Sequence, residues 1–317
     1  MENMRKALIV GVNDYPGARL SGCVNDANAI AGVFAKHGNG NPNFAVKLLT
    51  SPSKIDTAVL RGAIEKLFEG DSDVCLFYFS GHGIITSTGG YIVTPDAKKY
   101  AEGVSMDDIL ALANHSKAKE KVILLDCCHA GALGAPVITG SNMAVLSGGL
   151  SVLTASRDSE SALEVDGKGM FTSLVVAALQ GQAADLLGYI TPGSIYAYVD
   201  RALGPWEQRP MFKTNVTQFT SLRSVTPPVP IETLRKICTY FPAPQHEYGL
   251  DPSYEFTDPR AKPANVAIMK NLQKFASVGL VVPVGEEHMY FATINSKSCR
   301  LTALGHQYWR LVNQKML

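Results

Sequence analysis

The chain has 317 residues, 46% of them hydrophobic and 18% charged, with a net charge of +1. That composition suits one large or two modest packed domains and excludes an intrinsically disordered chain. The near-neutral balance argues against broad binding to nucleic acid or anionic membrane, and no apolar run approaches the roughly 18 residues of a membrane span.

Ala7-Leu8-Ile9-Val10-Gly11-Val12 reads as the first strand, and residues 23–36 as a helix with Val24, Ala27, Ile30, Ala31 and Phe34 on one face. Residues 45–49 follow as a strand and 54–68 as an amphipathic helix. Val74-Cys75-Leu76-Phe77-Tyr78-Phe79 is an unbroken apolar run, as expected of a parallel strand covered on both faces. A short strand at 91–93 and a helix at 106–113 lead to the strand 121–126, in which 122–125 is a second such run. Residues 132–149 carry no charge and read as a long loop. Strand 151–155, helices 170–179 and 193–203 and an extended segment 211–221 complete the alternation. This order predicts an α/β domain with a mainly parallel sheet and helices on both faces.

Thr226-Pro227-Pro228-Val229-Pro230 marks a boundary, because dense proline makes an extended spacer. The predicted division is 1–224, a linker at 225–230, and a second domain at 231–317. The tail reads as helices at 231–240 and 265–277, strands at 280–283 and 290–292, and a closing helix at 302–313. It resembles a small α+β winged-helix module, and its ten Lys/Arg exceed its seven acids by only three. That suits protein recognition or regulation better than DNA reading. Six scattered cysteines suggest no disulfide framework, and Met1–Lys6 runs straight into a strand without room for a signal peptide, so a reduced, cytoplasmic location is expected.

Both apolar runs end in chemistry. The first is followed by Ser80-Gly81-His82-Gly83, the second by Asp126-Cys127-Cys128-His129-Ala130-Gly131. In open α/β sheets, reactive groups collect at the carboxyl ends of strands. Two neighbouring parallel strands would bring His82 to Cys128, 46 positions later, as a base that makes the thiolate. A buried structural thiol and a metal site are the rival readings of Cys128. The metal reading lacks a second ligand pair at zinc spacing.

Tyr78-Phe79-Ser80-Gly81-His82-Gly83 and Asp126-Cys127-Cys128-His129-Ala130-Gly131 resemble the two signature motifs of the metacaspases, the caspase-like cysteine peptidases of family C14. Gly22-Cys23-Val24-Asn25-Asp26-Ala27 is similar to their early acidic motif, and the likeness spans about residues 5–221. It implies a Cys–His dyad with Cys128 as nucleophile and His82 as base, while Cys127 packs beneath and His129 points away. It further implies oxyanion donors at the Gly83 and Cys128 amides, and an S1 pocket of Asp26 and Asp126 with Ser156 lining it by its backbone. Such a pocket selects a protein substrate with Arg or Lys at P1. A prokaryotic member acting in stress, cell suicide or antiviral defence is what the resemblance suggests, controlled by an upstream protease or by a partner bound through 231–317.

Asp96, Asp107 and Asp108 stand where calcium-dependent members keep part of a carboxylate site. The set is incomplete, so no cofactor is expected, with calcium as the alternative. Residues 129–156 contain no Lys or Arg, so an enzyme cutting after basic residues cannot cut itself there. Arg223, just ahead of the proline spacer, is where a cut would release the tail. Two other readings remain, a catalytically silent adaptor and a DNA-binding regulator carrying a peptidase domain.

Overall fold

The computed structural model describes residues 4–127, 130, 133, 145–155, 164–165, 168–204 and 209–317. The chain divides into two compact units, Met1–Asp185 with Tyr189–Val225, and Leu186–Gly188 with Thr226–Leu317.

The first unit begins β1 (Arg5–Gly11), α1 (Cys23–Ala35), β2 (Ala45–Thr50), α2 (Thr57–Phe68) and β3 (Val74–Ser80). It continues through β4 (Gly83–Thr86), β5 (Gly89–Lys98), β6 (Ala101–Ser105), α3 (Met106–His115), β7 (Glu120–Asp126) and β8 (Leu150–Thr154). It closes with β9 (Glu164–Val165), β10 (Lys168–Gly169), α4 (Met170–Ala177), β11 (Tyr189–Ile190), α5 (Pro192–Leu203), β12 (Met211–Asn215) and β13 (Arg223–Ser224). Among the described residues the main sheet has the order β12-β8-β7-β3-β1-β2. Every pair in it is parallel except β12 with β8.

The two apolar runs are its central strands, buried at every residue of β3. Alternate side chains of β3 go to opposite faces, as a strand's period of two requires. Cys75, Phe77 and Phe79 join a core with α2 and α3, whereas Val74, Leu76 and Tyr78 join one with α1, α4 and α5. Side-chain caps set the helix starts. The Asp56 carboxylate accepts from Val59 N–H at 2.9 Å, and Thr191 and Ser194 form a reciprocal capping box around Pro192. The expected short strand at 91–93 is the middle of the ten-residue β5, which pairs with β4 and β6 in a small antiparallel sheet.

The second unit contains α6 (Ile231–Leu234), α7 (Ile237–Tyr240), β14 (Glu247–Gly249), α8 (Pro263–Ser277), β15 (Val281–Val284), α9 (Met289–Ile294), β16 (Ser298–Leu301) and α10 (Ala303–Asn313). Its sheet is antiparallel, in the order β14-β16-β15. Two readings of the tail change. The helix expected at 231–240 is two single turns, and the strand expected at 290–292 is helical. Met289, Ala292 and Thr293 are buried while Tyr290 and Phe291 are exposed, a spacing of three and four instead of alternation. A helix therefore stands between paired β15 and β16 where the winged-helix likeness would put a hairpin. The spacer is also packed: Val229 belongs to the core of this unit.

Arg223 is tied down within the first unit. Its guanidinium donates to the carbonyls of Val33 (3.0 Å), Lys36 (2.9 Å) and Leu179 (2.6 Å), closing the end of α1. Burial pushes its pKa down, and β13 pairs with β11. A protease would reach the Arg223 bond, where a cut is expected to release the tail, once this edge opens. Arg223→Ala would leave three carbonyls without their charged donor and is expected to destabilise the unit by about 2–3 kcal/mol. A denaturant melt of wild type and variant measures it.

Candidate active site

The hydrogen-bond ladder runs past the strand ends at the carboxyl edge of the sheet. Val12 N–H reaches Ser80 O at 3.0 Å, Gly81 N–H reaches Asp126 O at 3.4 Å, and Ala155 N–H reaches Leu125 O at 2.9 Å. Ser80 is in register with Asp126. In sequence, His82 therefore follows its strand by the same two positions by which Cys128 follows β7. Cys128, His129 and Ser156 lie outside the described residues.

His82 is held from two sides. Its Nε2 stands 2.7 Å from the carbonyl oxygen of Ala18. A carbonyl only accepts, so this nitrogen carries a proton, and in the neutral ring the lone pair is on Nδ1. The His82 backbone N–H donates to Tyr15 Oη at 3.1 Å, and that hydroxyl donates onward to Val93 O at 3.2 Å. The Tyr15 ring also meets the imidazole edge-on, with centroids 4.6 Å apart. Burial pushes the Tyr15 phenol well up, the His82 N–H acting in the opposite sense, so it stays a protonated donor. A side chain at Gly81 would strike the Tyr15 hydroxyl and the Phe79 ring, which is why a glycine precedes the histidine. Gly83, the expected oxyanion donor, opens β4 in register with Ile92.

Sequence reasoning did not single out Tyr15 or Ala18. The available signal was position: both follow β1, and β1 is the neighbour of β3. Tyr15→Phe removes two hydrogen bonds of about 1 kcal/mol each, partly replaced by water. On the peptidase reading, about a tenfold fall in kcat with KM nearly unchanged is expected from steady-state kinetics.

Asp26 and Asp126 come together at Gly169. Asp26 lies in the first turn of α1 and is 3% exposed; Asp126 ends β7 and is 5% exposed. A Cβ on Gly169 would lie 2.5 Å from Asp126 Oδ2 and 3.1 Å from Asp26 Oδ2, so both carboxylates face one point. Gly169, the residue that caps α4, donates its N–H to Asp26 Oδ2 at 3.0 Å. Thr172 donates its hydroxyl to Asp126 Oδ2 at 2.6 Å and stands 2.6 Å from the Tyr78 hydroxyl, which donates to it in turn. Burial raises the Tyr78 phenol well above its ordinary range, and the charges of Asp126 and Asp26 raise it further. The position of Asp26 depends on Gly11. A side chain there would run into the Cys23 carbonyl and Ala27, lifting the start of α1 from β1.

Cys127 is 1% exposed and packs in the same core as Tyr15, on the α2/α3 face, as expected of a structural thiol. The calcium candidates are not brought together. Asp96 accepts from the Thr57 N–H (3.0 Å) and hydroxyl (3.2 Å) at the start of α2; burial raises its pKa, but hydrogen bonds from Thr94 and Thr57 outweigh that and hold it low. Asp108 pairs with Arg61 at 3.2 Å, and burial raises Asp107, with Asp108 adding to it. Among the described residues, no group of three or more His, Cys, Asp or Glu converges as a metal cage, so these three carboxylates do not fit one calcium ion. No described helix is long and apolar enough to cross a membrane.

The sequence model of the Caspase domain, Peptidase_C14, matches residues 4–225. Among solved structures, the chain is similar to protein GSU0716 from Geobacter sulfurreducens, with a TM-score of 0.52 and 17% identity over 70% of this chain and 99% of that one. It is also similar to caspase-1 from Spodoptera frugiperda, with a TM-score of 0.51 and 13% identity over 70% of this chain and 91% of that one. At such identities the likeness is one of fold. No curated protein sequence matches the chain.

Proposed function

Because the chain belongs to the Caspase-domain family of cysteine peptidases, we propose that it is an endopeptidase that cuts proteins after Arg or Lys. Cys128 gives its thiol proton to His82 Nδ1, and the thiolate attacks the carbonyl carbon of the scissile bond. The oxyanion is received by the Gly83 and Cys128 amides. The C–N bond then breaks, and the leaving nitrogen takes the proton back from His82. Water, deprotonated by His82, hydrolyses the thioester and frees the thiol.

The observation that carries the specificity is the meeting of Asp26 and Asp126 at one point. Two carboxylates in a buried site reward a cationic side chain and repel an acidic one. The N-terminal start of α4 contacts both carboxylates. A substrate guanidinium would share Asp26 with the Gly169 N–H, and a rearrangement of this contact is where an activating signal, an upstream protease or a partner of the second unit would act. Stress, cell-suicide or defence signalling in the cytoplasm is the setting we infer from the family resemblance.

The test is a fluorogenic peptide panel varied at P1, read beside Cys128→Ala. Cleavage of Arg and Lys peptides, absent in the variant, is expected. Robust cleavage after Asp would overturn the specificity.

A further inference from the structure

A second recess adjoins His82, away from the acidic pair. It encloses about 320 Å3, at the small end of the roughly 300–1,000 Å3 typical of ligand pockets. His82 forms part of its wall, with Pro16, Ile84, Val93, Pro95 and Ala97 around it. No Asp, Glu, Lys or Arg lines it, since the neighbouring Asp96 is turned to the start of α2. None of Asp26, Asp126, Gly169 or Thr172 belongs to it.

We propose that this recess receives the side chain of the substrate residue immediately after the cut bond, and that it selects an apolar one. This rests on the peptidase reading above. If Arg or Lys at P1 lies between Asp26 and Asp126, the acyl half of the substrate is on the α1/α4 face of the sheet edge. The leaving nitrogen must take its proton from His82, so the next residue lies on the imidazole's other flank. That flank is this recess, on the face where Tyr15 packs with α2 and α3. A charged side chain there would lose part of its water and meet no opposite charge, whereas an apolar one gains burial. Pro16 and Ala18, on the loop after β1, take part both in the recess and, through the Ala18 carbonyl, in orienting the base.

The experiment uses full-length protein and internally quenched peptides with Arg before the cut and Leu, Phe, Ala, Asp or Lys after it. Wild type is expected to cut the Leu and Phe peptides at least about tenfold more efficiently than those with Asp or Lys. Ile84 is 40% exposed, so a polar side chain there can reach water in the free protein. Ile84→Glu is expected to move the preference from Leu toward Lys. The same peptides are titrated onto Cys128→Ala by fluorescence polarisation, where the Leu peptide is expected to bind at least tenfold tighter than the Lys peptide. Equal binding and cleavage of Leu and Lys peptides, or an unchanged order in Ile84→Glu, would overturn the subsite. Absence of cleavage in every peptide would count against the peptidase reading, and the binding comparison would then decide the subsite alone.

Discussion

On the proposed peptidase mechanism, Cys128→Ala and His82→Ala are each expected to lower kcat/KM on an Arg peptide by on the order of a thousandfold or more, because each would remove a group through which every step passes. Cys127→Ala is expected to keep most activity. The Cys127 thiol is 1% exposed in a core shared with Tyr15, so losing it costs about 1 kcal/mol of packing. The adjacent cysteines thus separate two measurements: initial rates respond to position 128, and the melting temperature responds to position 127. His82→Ala also removes a ring packed against Tyr15 and bonded to Ala18, so a modest fall in melting temperature accompanies the loss of rate. If Cys127→Ala were inactive and Cys128→Ala active, the assignment of the nucleophile would be wrong.

The second large effect is at the acidic pair. Asp26→Ala is expected to cost about 2–5 kcal/mol with Arg or Lys peptides, the usual loss when one side of a buried charge pair is removed. That is roughly 30- to 4,000-fold in kcat/KM. Asp26→Asn keeps an oxygen for the Gly169 N–H and the volume of the side chain, so a loss of similar size in this variant isolates the charge from the fold. Asp126→Asn does the same for the Thr172 hydrogen bond. Both carboxylates face one point, so in the double variant the two losses are expected to be non-additive in a double-mutant cycle. Kinetics on Arg and Gln peptides check this. Equal losses on both peptides would assign Asp26 to structure alone.

The central architecture was legible because buried parallel strands announce themselves. The runs 74–79 and 122–125 are apolar without interruption and lead into Ser80-Gly81-His82-Gly83 and Asp126-Cys127-Cys128. The tail was less legible. Residues 289–294 hold aromatic and β-branched side chains that suit a strand, yet only packing against Met269 and its neighbours makes them a helix turn.

The sequence by itself determined the strand-end positions of His82 and Asp126 and the acidic residue in the first turn of α1, since these follow from local runs and neighbours along the chain. Only the tertiary structure decided what touches them. Ala18 reaches His82 across 64 positions, Gly169 reaches Asp26 across 143, and Thr172 reaches Asp126 across 46. Those contacts depend on the strand order β7-β3-β1 and on which face α4 covers. Composition and periodicity carry no information about strand order, because a parallel strand presents the same apolar run whichever neighbour it pairs with. The contact of the start of α4 with both carboxylates is therefore a property of the fold and not of any motif.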